Sequence, residues 1–178
     1  MPASLIAPAA EEYAPFYADY VQRATARGDL IAALSAQPDE MKAALGGLSD
    51  SQARFRNGPG EWSIKEIISH LTDGERVFSY RLLRISRKDK TPLPGFEQED
   101  YVRTSGADNL PLADLLAEFE FLRLANTIAI RNMSEDALME IGTASGAPVS
   151  ARALVYFLVG HVEHHMASMK EKYLPFIS

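Results

Sequence analysis

The 178-residue chain contains no cysteine, and this absence removes three kinds of chemistry. The protein can form no disulfide, offer no thiolate to a metal ion and use no cysteine as a nucleophile. Any thiol in a reaction here must therefore come from a co-substrate. A chain without disulfides also fits the reducing cytoplasm, where we expect this protein to reside.

The chain also lacks long apolar runs and large basic clusters, and we expect no signal peptide. No stretch approaches the roughly 18 apolar residues that span a bilayer, and the N-terminal "MPASLIAPAAEEY" has neither the basic nor the apolar region of a signal peptide. The formal net charge is -6, and "RISRKDK" is the main basic run. We therefore expect a small-molecule substrate and neither nucleic acid nor a membrane as partner.

Hydrophobic residues make up 47% of the chain, enough for one domain with a substantial core. Residues 1–27 contain scattered aromatics without a clear period, and we expect them to form an irregular N-terminal arm. Residues 28–178 are predicted to form a single domain. Its apolar residues recur at helical spacing, and no strand pattern of any length is present.

Four main helices are predicted, which makes the fold class all-α, a four-helix bundle. The first covers about 29–45, with a kink or split at Pro38. The second begins after Ser63, whose spacing from Glu66 is that of a capping box. The third begins at Pro111, and the last runs from Ser150 to about Tyr173.

The connections between these helices differ greatly in length. Residues 88–109 are predicted as a long loop, a crossover between the second and third main helices that would let these two run parallel. Ser134 is predicted to cap a short helix. The following "GTASGAP" is predicted as a loop.

Three of the four histidines carry the strongest functional signal. His161 and His165 stand four residues apart in "LVYFLVGHVEHHMASM", so they lie on one face of the last helix, within its apolar arc. His70 lies beside the apolar face of the second main helix. Three imidazoles from two helices could hold one metal ion and leave coordination positions open, as catalytic sites do. A hydrogen-bonded cluster of core histidines without a metal is the alternative.

Several other residues are candidates to surround such a site, and each has a structural alternative. A carboxylate on the apolar face at Glu75 needs a partner, and an ion pair with an arginine of another helix is favoured over a role as general base. Trp62 is expected to cover one end of the bundle. The remaining candidates are Asp73, Tyr80, Tyr156 and His164.

The runs "GEWSIKEIISHLTDGERVFSYRLLRI", "TPLPGFEQEDY" and "GTASGAPVSARALVYFLVGHVEHHMASMKEKYL" resemble the DinB/YfiT-like superfamily of metalloenzymes. The resemblance extends over nearly the whole chain from about residue 28. It implies a four-helix bundle with a three-histidine site, here His70, His161 and His165. It also implies a divalent metal such as zinc or nickel, often a homodimer, and in some relatives a low-molecular-weight thiol as co-substrate.

Two classes of function follow from these observations. The first is a metal-dependent enzyme, a hydrolase or a thiol S-transferase, in which the ion activates water or a thiol. The second is a non-catalytic metal-binding or stress-related helical dimer. An open cleft beside the histidines favours the enzyme, whereas a sealed site favours the structural role.

Overall fold

The computed structural model describes residues 5–177, and this part of the chain is largely helical. Its regular elements are α1 (Ala18–Ala26), α2 (Leu30–Leu45), α3 (Ile64–Ser86), α4 (Gln98–Ser105), α5 (Leu112–Arg131), α6 (Glu135–Met139), β1 (Ile141–Ala144), β2 (Ala147–Ser150) and α7 (Ala151–Lys172), joined by short 3₁₀ turns.

Helices α2, α3, α5 and α7 form a four-helix bundle, in which α2 and α3 each pack against both α5 and α7. Helix α1 lies along α7 on the outside of the bundle. The all-α four-helix fold that the sequence predicts is confirmed. Between residues 5 and 177, no helix is both long and apolar enough to cross a bilayer.

The bundle interior consists of two apolar clusters separated by a polar layer. One cluster contains Phe78 and Phe157, and the other contains Ile68 and Phe119. Each of the four helices changes from one cluster to the other at the same height, and there it carries buried polar residues. These residues are Gln37 on α2, His70, Thr72 and Glu75 on α3, Arg123 and Thr127 on α5, and His161 on α7.

The predicted helix starts are confirmed by their caps. The Ser63 hydroxyl accepts a hydrogen bond from the Glu66 backbone N–H at 3.1 Å, and the Glu66 carboxylate accepts one from the Ser63 N–H at 2.8 Å. Ser134 and Ser150 accept hydrogen bonds from the N–H groups three residues later. Each cap satisfies a donor that the helix leaves free, which fixes where the helix begins.

Helix α3 runs in the same direction as α5, as the predicted crossover allows. Near the start of both helices, the Lys65 ammonium donates to the Leu110 carbonyl oxygen at 2.6 Å. Near the middle of both, Arg123 contacts Glu75. The contacts advance together along the two helices, so α3 and α5 are parallel. The long connection must therefore return along the length of the bundle, from the end of α3 to the end at which α3 begins.

Helix α2 continues through Pro38, so the split that the sequence allows there does not occur, while the alternative of a kink stays a prediction. Two of the predicted irregular segments contain helices. Helix α4 lies within the predicted loop 88–109, ending at Gly106 with a φ of +66°. Helix α1 lies within residues 1–27, which the sequence predicts to be irregular. Both missed helices are short, and they gain stability from packing on the bundle that a local sequence pattern does not reveal.

The predicted loop "GTASGAP" is a β-hairpin. Strands β1 and β2 pair antiparallel, and the turn residues Ser145 and Gly146 have φ angles of +52° and +77°, as in a two-residue type I′ turn. Leu93 lies beside β1, and its backbone N–H donates a hydrogen bond to the Thr143 carbonyl oxygen at 2.9 Å. Four-residue strands that contain glycine and proline give too weak a pattern to be found from sequence.

The segment before α1 is held to the bundle by a charged pair. The Arg152 guanidinium on α7 donates from Nε to Glu12 Oε2 at 2.8 Å, and its Nη2 also contacts Glu12. The Ala9 backbone N–H donates to Glu12 at 2.9 Å. The hydrogen bond from Arg152 is the main reason why the pKa of Glu12 falls from 4.5 to about 2.

We expect Glu12→Gln to lower the free energy of unfolding at pH 7 by about 1.5–3 kcal/mol, the range for a hydrogen bond to a charged group. Because the folded-state pKa is lowered, the ionised form stabilises the fold above pH 4.5, and this contribution is lost as the pH falls towards 2. Urea titrations measure the difference in unfolding free energy between the wild type and Glu12→Gln, and this difference should be smaller at pH 3 than at pH 7. Glu11→Gln, which changes an exposed neighbour, is the control. A difference that does not depend on pH would contradict the prediction.

Candidate metal centre

The three predicted histidines meet in the polar layer of the bundle. His70 comes from α3, and His161 and His165 come from successive turns of α7. Their ring centroids are 4.7–4.9 Å apart. One nitrogen from each ring can be chosen so that all three lie within 4.8 Å of one another. The structure therefore brings together the three side chains that the sequence singles out.

The spacing between His70 and His161 suits a shared ligand. Their Nε2 atoms are 2.9 Å apart. Two nitrogens that each lie about 2.1 Å from one ion are about 3.0–3.4 Å apart, for bond angles between a right angle and the tetrahedral value. The pair therefore has almost the separation that a common ion requires.

Gly74 makes room for the His161 ring. A Cβ atom at this position would lie 2.6 Å from His161 Cε1 and 2.8 Å from His161 Nδ1. Because glycine has no side chain, the imidazole packs directly on the backbone of α3, one turn beyond His70. The sequence shows this glycine but gives no sign of the contact.

The site keeps its imidazoles neutral. Burial is the main reason why the pKa of His70 falls from 6.5 to about 4 and that of His165 falls to about 3. Burial also lowers the pKa of His161 well below its ordinary value, and the neighbouring histidines add to the effect. Neutral imidazole is the form that binds a transition-metal ion, so the donor set fits a divalent cation.

Glu75 makes the ion pair that its position on the apolar face suggests. The Arg123 guanidinium donates from Nε to Oε1 at 3.0 Å and from Nη2 to Oε2 at 2.7 Å, with both side chains 1% exposed. Asn126 donates to the same carboxylate at 2.8 Å. Arg123 also donates to the Leu158 carbonyl at 2.8 Å and to Gln37. This network joins all four bundle helices in the polar layer.

Three other candidates lie apart from the histidines. Asp73 faces Arg76 at 3.7 Å, and partial burial raises the pKa of its carboxyl. The exposed Tyr80 accepts a hydrogen bond from Arg84. The Tyr156 hydroxyl donates to the Leu5 carbonyl at 2.8 Å. None of these side chains makes a hydrogen bond or ring contact with the three histidines in the part of the chain that the structure describes.

His164 lies at the edge of the histidine cluster, with its ring centroid 5.1 Å from that of His165. Its Nδ1 lies 2.8 Å from the Asp19 carboxylate of α1, and its side chain is 42% exposed. The ring centroid of Tyr20 lies 5.5 Å from that of His164 and 5.3 Å from that of His161. His164 thus helps to hold α1 against α7, and α1 in turn places Tyr20 beside the candidate site.

A cavity of about 220 Å³ opens beside His70 and His161. Aromatic residues from the N-terminal segment and from the crossover form much of its wall. The lining residues besides the two histidines are Phe16, Tyr17, Tyr20, Phe78, Phe96, Glu97, Gln98 and Ser145. An open cleft beside the histidines is the arrangement expected of an enzyme rather than of a structural metal site. Most of these residues come from segments predicted as arm or loop, so sequence reasoning missed them, although the aromatics between residues 13 and 20 were a visible signal.

Trp62 lies closer to the candidate site than its expected place at the end of the bundle suggests. Its ring centroid is 4.7 Å from that of His70 and 6.3 Å from that of His165. The indole N–H donates to the Glu99 carboxylate of α4 at 3.1 Å. The indole therefore packs against His70 and His165 and links them to the crossover.

Comparison with known proteins identifies a family. The sequence profile of the DinB superfamily matches residues 33–169. Two relatives are provisionally named as metal-dependent hydrolases. One, from Geobacillus thermodenitrificans, is 26% identical over 141 residues, covering 78% of this chain and 79% of the relative. The other, from Geobacillus kaustophilus, is 23% identical over 143 residues with the same coverage.

Two solved structures share the fold. YfiT from Bacillus subtilis, described as a probable metal-dependent hydrolase with an unusual four-helix bundle topology, superposes with a TM-score of 0.74 at 19% identity and covers 95% of both chains. A mycothiol-dependent maleylpyruvate isomerase superposes with a TM-score of 0.63 at 17% identity. That match covers 89% of this chain and 64% of the isomerase. At these identities the likeness establishes the fold alone.

We expect Gly74→Ala to displace the His161 ring, because the new methyl group would lie within 3 Å of it. Alanine normally stabilises a helix interior by about 1 kcal/mol relative to glycine, but here stability should fall. Zinc affinity should also weaken by about tenfold or more, the equivalent of 1.4 kcal/mol. Urea unfolding and calorimetric zinc titration measure the two effects. Gly47→Ala is the control, because a Cβ atom at that position meets no other atom within 4 Å. If Gly74→Ala were more stable than the wild type and bound zinc equally well, the predicted clash with His161 would be wrong.

Proposed function

Because the chain belongs to the DinB superfamily, we propose that it is a metal-dependent hydrolase whose His70, His161 and His165 hold one divalent ion. The observation that carries this proposal is the convergence of three neutral imidazoles beside an open cavity. The provisional names of the curated relatives point the same way. Zinc and nickel are the metals we expect, since imidazole ligands suit both.

The chemistry of such a site follows from its ligands. Three neutral imidazoles leave the ion its full charge, which would lower the pKa of a water or thiol bound to it and polarise a carbonyl oxygen of the substrate. His70 and His161 would fix the direction from which a substrate in the cavity meets the ion. The rings of Phe78 and Tyr20 pack beside His161 and limit the access of bulk water on that side.

A thiol S-transferase is the second enzymatic candidate. The isomerase that shares the fold is described as mycothiol-dependent, and this chain has no cysteine of its own to supply a thiol. The cavity would then receive a low-molecular-weight thiol along with an electrophile. Product analysis separates the two candidates, because a hydrolase consumes only water whereas an S-transferase yields an adduct or requires the thiol for turnover.

A non-catalytic metal-binding or stress-related protein is the alternative to an enzyme. Such a protein would bind the metal through the same histidines but would turn over neither small esters nor thiol substrates. The open cleft beside His70 favours the enzyme, because a purely structural site is normally closed by its protein ligands.

The location of the protein in the cytoplasm also stays a prediction.

We expect the purified protein, loaded with zinc or nickel and desalted, to hold one ion per chain. His161→Ala and His165→Ala should each abolish this stoichiometric binding, because the loss of one donor from three leaves too few ligands. Elemental analysis measures the content. His164→Ala is the matched control and should keep the ion. Its ring touches that of His165, but its Nδ1 is directed to Asp19 and it is not one of the three grouped donors.

Retention of one ion per chain by both His161→Ala and His165→Ala would refute the assignment of the site. If the ion binds as proposed, a chelator should lower the unfolding temperature of the wild-type protein, since removal of a ligand of the native state lowers stability. The same treatment should abolish hydrolysis of small esters. Bound metal without turnover of any ester or thiol substrate would favour the non-catalytic alternative.

We also propose that the protein is a homodimer. Support comes from the outward face of α5, where Phe121, Leu124 and Ile128 are 68%, 58% and 52% exposed. Their spacing of three and four residues places them on one stripe of the helix. A stripe of large apolar side chains on an otherwise acidic protein is typical of a surface that another subunit covers.

If α5 forms this interface, Leu124→Glu should convert the dimer into a monomer, because two copies of the new carboxylate would be buried near the symmetry axis. Light scattering coupled to size-exclusion chromatography measures the mass. Phe176→Glu, which changes an equally exposed apolar residue beyond α7, should leave the dimer intact. A monomeric wild-type protein, or a Leu124→Glu variant that remains dimeric, would contradict the proposal.

A further inference from the structure

The bundle contains two buried arginines, and their surroundings differ. Arg123 is neutralised by the Glu75 carboxylate. Arg81 on α3 is 3% exposed, yet no carboxylate lies within ion-pair distance of it in residues 5–177. Its Nη2 donates to the Pro94 carbonyl at 2.8 Å and to Ser145 Oγ at 2.9 Å, and both acceptors are neutral. A buried cation without a counter-charge is unfavourable, and a bound anion would compensate its charge.

Ser145 lies between this arginine and the cavity. Its hydroxyl oxygen accepts the hydrogen bond from Arg81, and the side chain is exposed to the solvent that fills the cavity. No protein acceptor for the hydroxyl proton is present among the described residues, so the proton can be donated to a ligand that displaces this solvent. Ser145 also lines the cavity that His70 and His161 line. A hydroxyl whose lone pair is engaged by a guanidinium is a stronger donor than an isolated one, since hydrogen bonds in a chain polarise one another.

The backbone at Ser145 indicates that this side chain is kept at the expense of stability. Its φ is +52°, a conformation that is unfavourable for most residues other than glycine, asparagine and aspartate. The first position of a type I′ turn normally carries one of those residues. Serine at this point is therefore a poor choice for the turn, and backbone strain of this kind clusters at functional sites.

We propose that Ser145, supported by the buried charge of Arg81, binds the carboxylate of a small substrate with a flat apolar body. The proposal rests on the proposed function, because it takes the cavity beside the histidines as the substrate site. The aromatic walls contributed by Phe16, Phe78 and Phe96 suit a planar apolar group. A volume of about 220 Å³ restricts the ligand to a small molecule.

The charge at the rim of the cavity limits the substrate further. Glu97 also lines the cavity, and its side chain is exposed. Its carboxylate would repel a second anionic group, whereas Arg81 lies behind Ser145 and attracts one. The arrangement therefore fits a monocarboxylate whose charged group lies at Ser145 and whose reacting group lies towards His70 and His161.

The test compares carboxylates with their neutral amides. Acetate, benzoate and phenylacetate, and the corresponding amides, are titrated calorimetrically into the full-length wild-type protein, as purified and after treatment with a chelator. At least one carboxylate should bind about tenfold more tightly than its amide, as one charge-assisted hydrogen bond allows. The preference should persist without metal, because neither Ser145 nor Arg81 contacts the histidines.

Two variants test whether Ser145 and Arg81 cause the preference for a carboxylate over its amide. Ser145→Gly and Arg81→Gln should each bind the carboxylate no more tightly than the amide. Ser145→Gly should unfold at a temperature no lower than the wild type, because relief of the positive φ offsets the lost hydrogen bond. Lys88→Gly is the matched control: Lys88 also has a positive φ, of +65°, but does not line the cavity, so its removal should leave ligand binding unchanged.

Two outcomes would overturn the proposal: a Ser145→Gly protein that keeps the preference, or a wild-type protein that binds no carboxylate of the series more tightly than its amide. Should Arg81→Gln fail to fold, Ser145→Gly decides alone. Failure of the metal assignment is recognised separately, as a wild-type protein without stoichiometric metal, and it does not change the result for the chelated protein.

Discussion

The architecture depends on the polar layer that crosses the middle of the bundle. All four main helices interrupt their apolar faces at one height, where Gln37, Glu75, Arg123 and His161 are buried. Burying such groups is favourable only if each finds a partner, and no buried side-chain polar atom in the described residues lacks one. The layer therefore constrains how the helices can slide along one another, because a shift by one turn would leave charged groups in an apolar cluster.

The same layer combines an ion-pair network on one side with the candidate metal site on the other. On one side, Arg123 and Glu75 neutralise each other and join α3 to α5. On the other, the imidazoles of α3 and α7 meet with no carboxylate between them, and burial keeps them neutral. The close approach at Gly74 belongs to both sides, since it sets the distance between α3 and α7. Stability and candidate chemistry are thus built from one set of helix contacts.

Sequence reasoning worked where a signal is local. The capping residues Ser63, Ser134 and Ser150 marked helix starts because a cap acts within one turn. The pair His161 and His165 was recognisable because residues four apart share a helix face. Reasoning failed for α1, α4 and the β-hairpin, which are short and depend on contacts distant in the chain. The residues that line the cavity could not be predicted for the same reason, because Tyr20, Phe96 and Ser145 belong to these segments.

The sequence by itself determined the all-α class, the positions of the main helices and the identity of the three histidines, since periodicity and spacing are properties of neighbouring residues. Only the tertiary structure decided that His70 meets the pair on α7, and that Glu75 finds Arg123 while Arg81 finds no carboxylate among the described residues. It also decided that aromatic side chains from the N-terminal segment, α3 and the crossover line one cavity. These outcomes depend on which helices run side by side, and that choice is made by the packing of the whole chain rather than by any local pattern.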